Sequence, residues 1–363
     1  MARIELDQVT KRFGDIVAVK DVTVTIEDNE FFCFFGPPSS GKTTMLRLLL
    51  GLETPDEGEI RINGRPVNRM TPAERNLAVV FQNLALFPHM TAGENIAFPL
   101  VERGMATSEI KRRVDEAAAK LSIAHILHKR PGFLSGGERQ RVAIGRALAR
   151  DAAAYLMDDP ISALDARLRE AMRVELKRLQ REIGHTLIYV THDQEEAMSV
   201  ADRMAIVEEG SVRQIAPPQI IYHDPNSRYV ASLVGSPTIN LARAKVEADG
   251  LRLADIGWRA PIVVQGAEAG SSVDVGFRPE AVQLVAPHAA EGFDADLVSV
   301  EPLGASTTLV ANSGGLMIKA QVMGQITLTP GERIRLAPRL DRLLCFRPGG
   351  GERLAIHGRS SGD

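Results

Sequence analysis

One short loop constrains this chain more than any other feature. Gly36-Pro37-Pro38-Ser39-Ser40-Gly41-Lys42-Thr43 fits G-x-x-x-x-G-K-[ST]. It follows Phe31-Phe32-Cys33-Phe34-Phe35, apolar on both faces as a strand buried between helix layers would be, and it precedes the helix-like Met45–Leu50. A loop in that setting must curl until successive backbone N–H groups point inward at phosphate oxygens. The following helix turns its positive end to the same anion. Lys42 then reaches the β- and γ-phosphates, and the Thr43 hydroxyl ligates Mg²⁺. The expected ligands are ATP and Mg²⁺.

The surrounding pattern predicts an α/β domain. Ala153-Ala154-Tyr155-Leu156-Met157 and Leu187-Ile188-Tyr189-Val190 read as two more buried strands. Between them Leu164, Leu168, Met172, Leu176, Leu179 and Ile183 form one apolar helical stripe, stopped by Gly184. Strand, helix, strand in this order implies a parallel βαβ unit. A second helical region is expected over 108–127, capped by Thr107 or Ser108. At Gly235-Ser236-Pro237 the texture changes to short alternating segments such as Val273-Asp274-Val275-Gly276-Phe277, which predict a small, mostly β domain from about 236 onward. The tail 358–363 is expected to fray.

Charge and cysteine content narrow the function classes. With 43 Lys+Arg against 46 Asp+Glu the net charge is −3, which argues against a nucleic-acid partner. Cys33 and Cys345 are too far apart in sequence to imply a disulfide framework or zinc site, so a reducing compartment fits. The sequence contains no run of about 18 apolar residues and opens with no signal peptide.

Two further stretches carry chemistry. Tyr155-Leu156-Met157-Asp158-Asp159-Pro160 ends a strand in two carboxylates: Asp158 would hold Mg²⁺ through water, and Asp159 would face the attacking water. In Leu134-Ser135-Gly136-Gly137-Glu138-Arg139-Gln140, Ser135 and Glu138 form a capping-box pattern at the start of a helix running to Arg150. Adjacent glycines there leave backbone N–H groups approachable by an anion. One chain would then carry two phosphate-binding helix ends, more than one ATP needs. A head-to-tail pair resolves this, with each ATP lying between one subunit's cradle and the other's Ser-Gly-Gly turn.

With these motifs in place the sequence resembles the ATP-binding cassette (ABC) transporter ATPases over nearly its whole length. LSGGERQRVAIGRAL at 134–148 matches the family signature, and Gln82 in VVFQNLALFP its Q-loop glutamine. DDPISALDARLR at 158–169 matches the second acidic motif and a loop Ser162-Ala163-Leu164-Asp165. VTHDQEEAM at 190–198 supplies a switch histidine, His192. The resemblance implies that Phe13 in KRFG stacks on adenine, and that Gln82 contacts Mg²⁺ or the lytic water. It also implies that His192 stabilises charge on the γ-phosphoryl group and that Asp165 couples two subunits. Gly36 through Thr44 would bind the nucleotide, and Ser135, Gly136 and Gly137 the partner subunit's ATP. Asn83–Thr91 lies where the family forms a groove for a permease helix.

The implied layout is an ABC ATPase domain over 1–235, with a helical subdomain at about 86–152, then an OB-like regulatory domain over 236–363. GSPTINL at 235–241, VGFRPEAVQL at 275–284 and VEPLGASTTLV at 300–310 resemble the regulatory domain of bacterial carbohydrate importers of the maltose, trehalose and glycerol-3-phosphate group. Such a chain hydrolyses ATP to power uptake of a sugar, polyol or sugar-phosphate-like solute. It sits at the cytoplasmic face of the bacterial inner membrane with two permease subunits, a second ATPase subunit and, indirectly, an extracytoplasmic solute-binding protein. Two positions depart from the pattern: Asp159 stands where the family places Glu, and Ser39 where it places Gly, with Pro38 also unusual. These departures would also suit a weakly hydrolysing half of a heterodimeric ATPase. Two rival functions are a regulatory binding module and a non-transport ABC ATPase, the latter disfavoured because the sequence has neither coiled-coil insertions nor tandem cassettes.

Overall fold

The structure is a computed structural model that describes residues 2–162, 164–349 and 351–358. Ala163 of the acidic loop, the side chain of Ile183 and the tail from Arg359 lie outside the described residues. The chain divides into two compact units, Met1–Gln219 and Ile220–Asp363.

The first unit contains two sheets. The larger has the order β10 (Ser211–Ala216), β9 (Arg203–Glu208), β3 (Phe31–Phe35), β8 (Thr186–Thr191), β7 (Ala154–Asp158), β6 (Leu77–Val80). Its five strands from β9 to β6 are parallel, and β10 closes one edge antiparallel. Every residue of β3 and of β8 is buried, as double-sided cover by helices requires. The second sheet is antiparallel, with order β2 (Ile16–Ile26), β1 (Ile4–Phe13), β4 (Glu57–Ile62), β5 (Arg65–Pro66), and its alternation was not legible in the sequence. The cause is visible in β1. Its pairing with β2 shifts register between Leu6 and Val9, where Gln8 has φ 51°, so the period-two pattern breaks mid-strand.

Among the described residues six α-helices complete this unit: α1 (Lys42–Leu50), α2 (Ala92–Val101), α3 (Thr107–Lys120), α4 (Gly136–Leu148), α5 (Ala166–Ile183) and α6 (Gln194–Val200). Helices α2 to α4 fill the connection between the parallel neighbours β6 and β7, the helical insertion expected there. The β7–α5–β8 crossover is the predicted βαβ unit, and Gly184 ends α5 in the left-handed region at φ 63°.

Two local expectations are corrected. Leu164 precedes the helix, because Asp165 caps α5 by accepting from the Leu168 N–H at 2.9 Å. Leu164 is buried all the same, so it mimics a helical position. Neither Thr107 nor Ser108 caps α3: the cap is Ala106, with no side-chain bond, and the helix stops at Lys120 before a separate turn at Ala124–Ile126.

The second unit is mostly β. One six-stranded sheet runs through Asn240–Glu247 and Ser272–Phe277, and a five-stranded sheet runs through Phe293–Pro302 and Ser306–Ser313. Trp258, Phe277, Phe293, Leu309 and Leu336 lie in their shared core. The unit begins before the change of texture at 235 because Arg278 reaches back. Its guanidinium donates to the carbonyls of Ala231, at 3.1 Å, and of Val234, and to that of Tyr222 at 2.9 Å. These bonds fasten the helix Arg228–Leu233 to the β domain.

Candidate functional site

Four neighbouring parallel strands end on the same edge, and each releases one part of the site. The phosphate loop follows β3, Gln82 follows β6, Asp158 ends β7, and Thr191 ends β8 just before His192. The carboxyl edge of a parallel sheet is where such folds bind ligands.

The loop after β3 needs its glycines. A Cβ on Gly36 would lie 2.4 Å from the Val207 carbonyl oxygen, and one on Gly41 (φ 104°) 2.4 Å from that of Ala18. Ser39 also sits in the left-handed region, at φ 63°, which explains physically why glycine is the usual residue at its place. The Lys42 ammonium donates to the carbonyls of Gly36 at 2.9 Å and Pro37 at 2.7 Å. Burial lowers its pKa, opposed by the charges of Asp159 and Asp158.

Thr43 Oγ1 donates to Asp158 Oδ1 at 3.5 Å, joining the start of α1 to the end of β7. Burial raises the Asp158 pKa, and the neighbouring Asp159 charge raises it further. One hydroxyl and one carboxylate are the hard oxygen set that Mg²⁺ uses when substrate phosphates complete its shell, so these residues fit that ion. No group of three or more His, Cys, Asp or Glu side chains arranged for a metal occurs among the described residues.

Asp159 is buried and lies at φ 46°, a conformation Asp tolerates better than most side chains. Its Oδ2 accepts from His192 Nδ1 at 2.9 Å and from Gln82 Nε2 at 3.4 Å; its Oδ1 accepts from Thr191 Oγ1 at 3.1 Å. The His192 side chain is half exposed, and with its Nδ1 hydrogen spent on Asp159 its Nε2 is left for another group. A neutral ring offers a lone pair there, and a protonated ring a second donor.

The ABC transporter family profile matches residues 19–162, and the TOBE domain profile matches 275–346. A sulfoquinovosyl glycerol transport ATP-binding protein of Agrobacterium fabrum is 43% identical, over 93% of this chain and 95% of its own length. A sn-glycerol-3-phosphate import ATP-binding protein of Rhizobium johnstonii is 41% identical over 94% of each chain. The chain belongs to the ABC transporter family. Among solved structures, a dimeric ATP-binding cassette in a post-hydrolysis state bound to ADP and phosphate matches with TM-score 0.53 and 34% identity, covering 59% of this chain and 98% of that one. The first unit is therefore an ABC cassette that binds nucleotide, and the second unit carries the β-rich TOBE domain.

The remaining sequence candidates of this cassette stand on other elements. Phe13 is 44% exposed at the end of β1, with the Lys11 ammonium 5.2 Å from its ring centre. Asp165 caps α5. Ser135 caps α4 through the expected box: its N–H donates to Glu138 Oε2 at 2.7 Å, and its Oγ accepts from the Glu138 N–H at 3.3 Å. The two glycines that follow differ. Gly136 is part-exposed, whereas Gly137 is buried and a Cβ there would lie 2.9 Å from Leu168. Gly137 therefore packs against the Leu168 side chain of α5, and the more exposed residues of the turn are Ser135 and Gly136.

Sequence reasoning missed four residues. Arg146 of α4 donates to the carbonyls of Ala85 at 2.6 Å and Leu84 at 2.7 Å, where φ is 45° and 60°. It ties the Gln82 loop to the helix that the Ser-Gly-Gly turn opens. The same loop, 83–91, is shaped from α2, where the buried Asn95 accepts from the Phe87 N–H at 2.8 Å and donates to the Thr91 carbonyl at 2.9 Å. Thr191 and Glu196 stand within the histidine motif yet carried no recognisable signal, since their meaning lies in a chain of contacts, Glu196 to Thr191 and Thr191 to Asp159.

Proposed function

We propose that the chain is the ATP-hydrolysing subunit of an ABC importer for a sugar, polyol or sugar-phosphate-like solute. The observation that carries this reading is the convergence of Lys42, Thr43, Gln82, Asp158, Asp159 and His192 on one sheet edge, in a chain similar end to end to import ATP-binding proteins. The xylose/arabinose import ATP-binding protein of Haloferax volcanii, 41% identical over 92% of this chain, belongs to the same set of relatives.

In this reading the loop N–H groups and Lys42 hold the β- and γ-phosphates, Phe13 stacks on the base, and Asp159 orients the attacking water. Gln82 and His192 flank that carboxylate, and His192 Nε2 faces the transferring group. Thr43 and Asp158, with Gln82 as a further contact, would hold Mg²⁺, which would supply neutralisation of phosphate charge. Positioning and fixed electrostatics then carry the catalysis. Two copies of the cassette would enclose each ATP between one cradle and the other's Ser135–Gly137 turn, with Asp165 at the contact. No helix among the described residues is long and apolar enough to cross a membrane, which fits a peripheral subunit docked on two permeases at the cytoplasmic face, the 83–91 loop meeting them.

The deciding experiment is solute uptake by proteoliposomes holding this chain, its permeases and the binding protein, beside a Lys42→Ala variant. Uptake and ATP hydrolysis should both fall to background in the variant, and uptake at the parent level would refute the reading. A second reading is favoured by Asp159 and Ser39 together: ATP binding with slow hydrolysis, beside a non-identical ATPase. Purification of the assembled transporter from its native host separates the two, since a mixed pair yields two different ATPase chains.

A further inference from the structure

A count of hydrogens around Thr191 carries information about a neighbouring acid. A threonine hydroxyl has one hydrogen to give and two lone pairs to receive. The Asp193 N–H donates to this oxygen at 3.0 Å. Two carboxyl oxygens also lie within bonding distance, Asp159 Oδ1 at 3.1 Å and Glu196 Oε2 at 2.8 Å. One hydrogen serves only one of them. Were both groups ionised, the other would press a charged oxygen against a lone pair with no proton between. One acid therefore carries its own proton.

The surroundings decide which. Asp159 receives donors from His192 and Gln82 on its second oxygen, as a carboxylate would. Glu196 is fully buried, and its Oε1 has no hydrogen-bond partner. Apart from Thr191, its Oε2 meets only the Tyr189 hydroxyl, at 2.9 Å. An unpartnered oxygen is tolerable on a neutral acid and costly on a buried anion. The groups facing Glu196 are Tyr189 and Thr191 from β8, Asp193 from its own cap, Asp159 beyond Thr191, and Cys33 from β3. Helix α5, packed against α6, brings Arg169 and Arg173, but these pair with Asp193 at 3.3 Å and Glu195 at 2.9 Å, and among the described residues no cation pairs with Glu196 itself. Burial pushes its pKa up, and the pull of the short α6 N-terminus is weak beside that.

We propose that Glu196 is a neutral acid that donates its proton to Thr191, so that the single Thr191 hydrogen is directed onto Asp159 and locks that carboxylate in orientation. Glu196 and Thr191 are thus positioning residues. The protonation state stands on the hydrogen count together with the burial and unpartnered oxygen of Glu196, while its consequence for turnover rests on the reading of Asp159 as the water-facing acid.

Infrared difference spectra of the purified full chain at neutral pH test the first part. The parent should show a protonated-carboxyl band that Glu196→Gln lacks; absence of that band from the parent overturns the proposal. For the second part, Glu196→Gln presents an N–H to Thr191 without charge and should keep kcat within about twofold, whereas Thr191→Val should lower kcat about tenfold or more at unchanged nucleotide affinity. Equal losses in both variants would overturn the positioning role. Asp159→Asn turning over at the parent rate would instead defeat the reading of Asp159 and leave the neutral Glu196 standing on its band.

Discussion

Lengthening Asp159 to glutamate tests the catalytic geometry most directly. The added methylene advances the carboxylate by roughly 1 Å, the order of misplacement that costs about a hundredfold in rate. A hundredfold corresponds to about 2.7 kcal/mol of barrier, which sets the ceiling on the gain. The structure shows what opposes it. The backbone at 159 lies at φ 46°, a conformation Asp adopts more readily than Glu, and the side chain is buried against Thr191, His192 and Gln82. Left-handed backbone costs roughly 1–2 kcal/mol for an ordinary side chain, and overpacking a buried site adds about 1–3 kcal/mol. Those terms fall on folded stability, and on turnover only so far as they shift the carboxylate. Asp159→Glu should therefore raise kcat of the assembled transporter about tenfold or more at saturating ATP, with a modest drop in melting temperature. ATPase rates would be measured with permeases and binding protein present, and thermal unfolding with the isolated subunit. A folded variant with intact nucleotide affinity and an unchanged or lower kcat would refute the argument, because it would show the parent carboxylate already at its working position.

Other consequences can be read at single positions. Ser39→Gly removes a left-handed side chain at φ 63°, so nucleotide affinity should rise about fivefold while Ser39→Val lowers it; calorimetric titration giving equal affinities would contradict the assignment of strain. Arg146→Lys replaces a fork that reaches two carbonyls with a single ammonium, so kcat should fall about tenfold with KM unchanged, and an unaltered kcat would show that the Gln82 loop holds its shape unaided. Glu138 has its pKa lowered below the ordinary 4.5 by its bonds to Ser135. Its contribution to the α4 N-terminus is present above 4.5 and lost as pH falls through the lowered value. Glu138→Gln keeps the box without the charge, so amide-exchange protection of α4 should weaken with acid in the parent and stay level in the variant.

The sequence disclosed features whose geometry is dictated locally. Gly41 could be assigned to a tight cradle because a chain leaving a buried strand into a helix has few ways to turn, and β3 is buried throughout as its five apolar residues imply. The start of α4 was legible for the same reason: Ser135 and Glu138 need only each other. The failures share the opposite property. β1 hid because a register shift near Gln8 interrupts its alternation, a feature set by pairing with β2. Leu164 passed for a helical residue because burial alone does not separate the last turn of a loop from the first turn of a helix.

Gly137 shows how a correct position can carry an incomplete reason. Its bare backbone reads as an anion site from sequence, yet the space a side chain would need is taken by Leu168 from α5. The residues around Asp159 make the same point in chemical terms. Thr191, Gln82 and His192 come from two separate stretches of chain, and only the parallel pairing of β6, β7 and β8 sets them on one carboxylate, with Glu196 behind Thr191. A motif names the groups that meet the substrate, because their spacing follows from one turn of backbone. The groups that hold those residues in place answer to the sheet, and become visible only when hydrogen bonds are counted atom by atom.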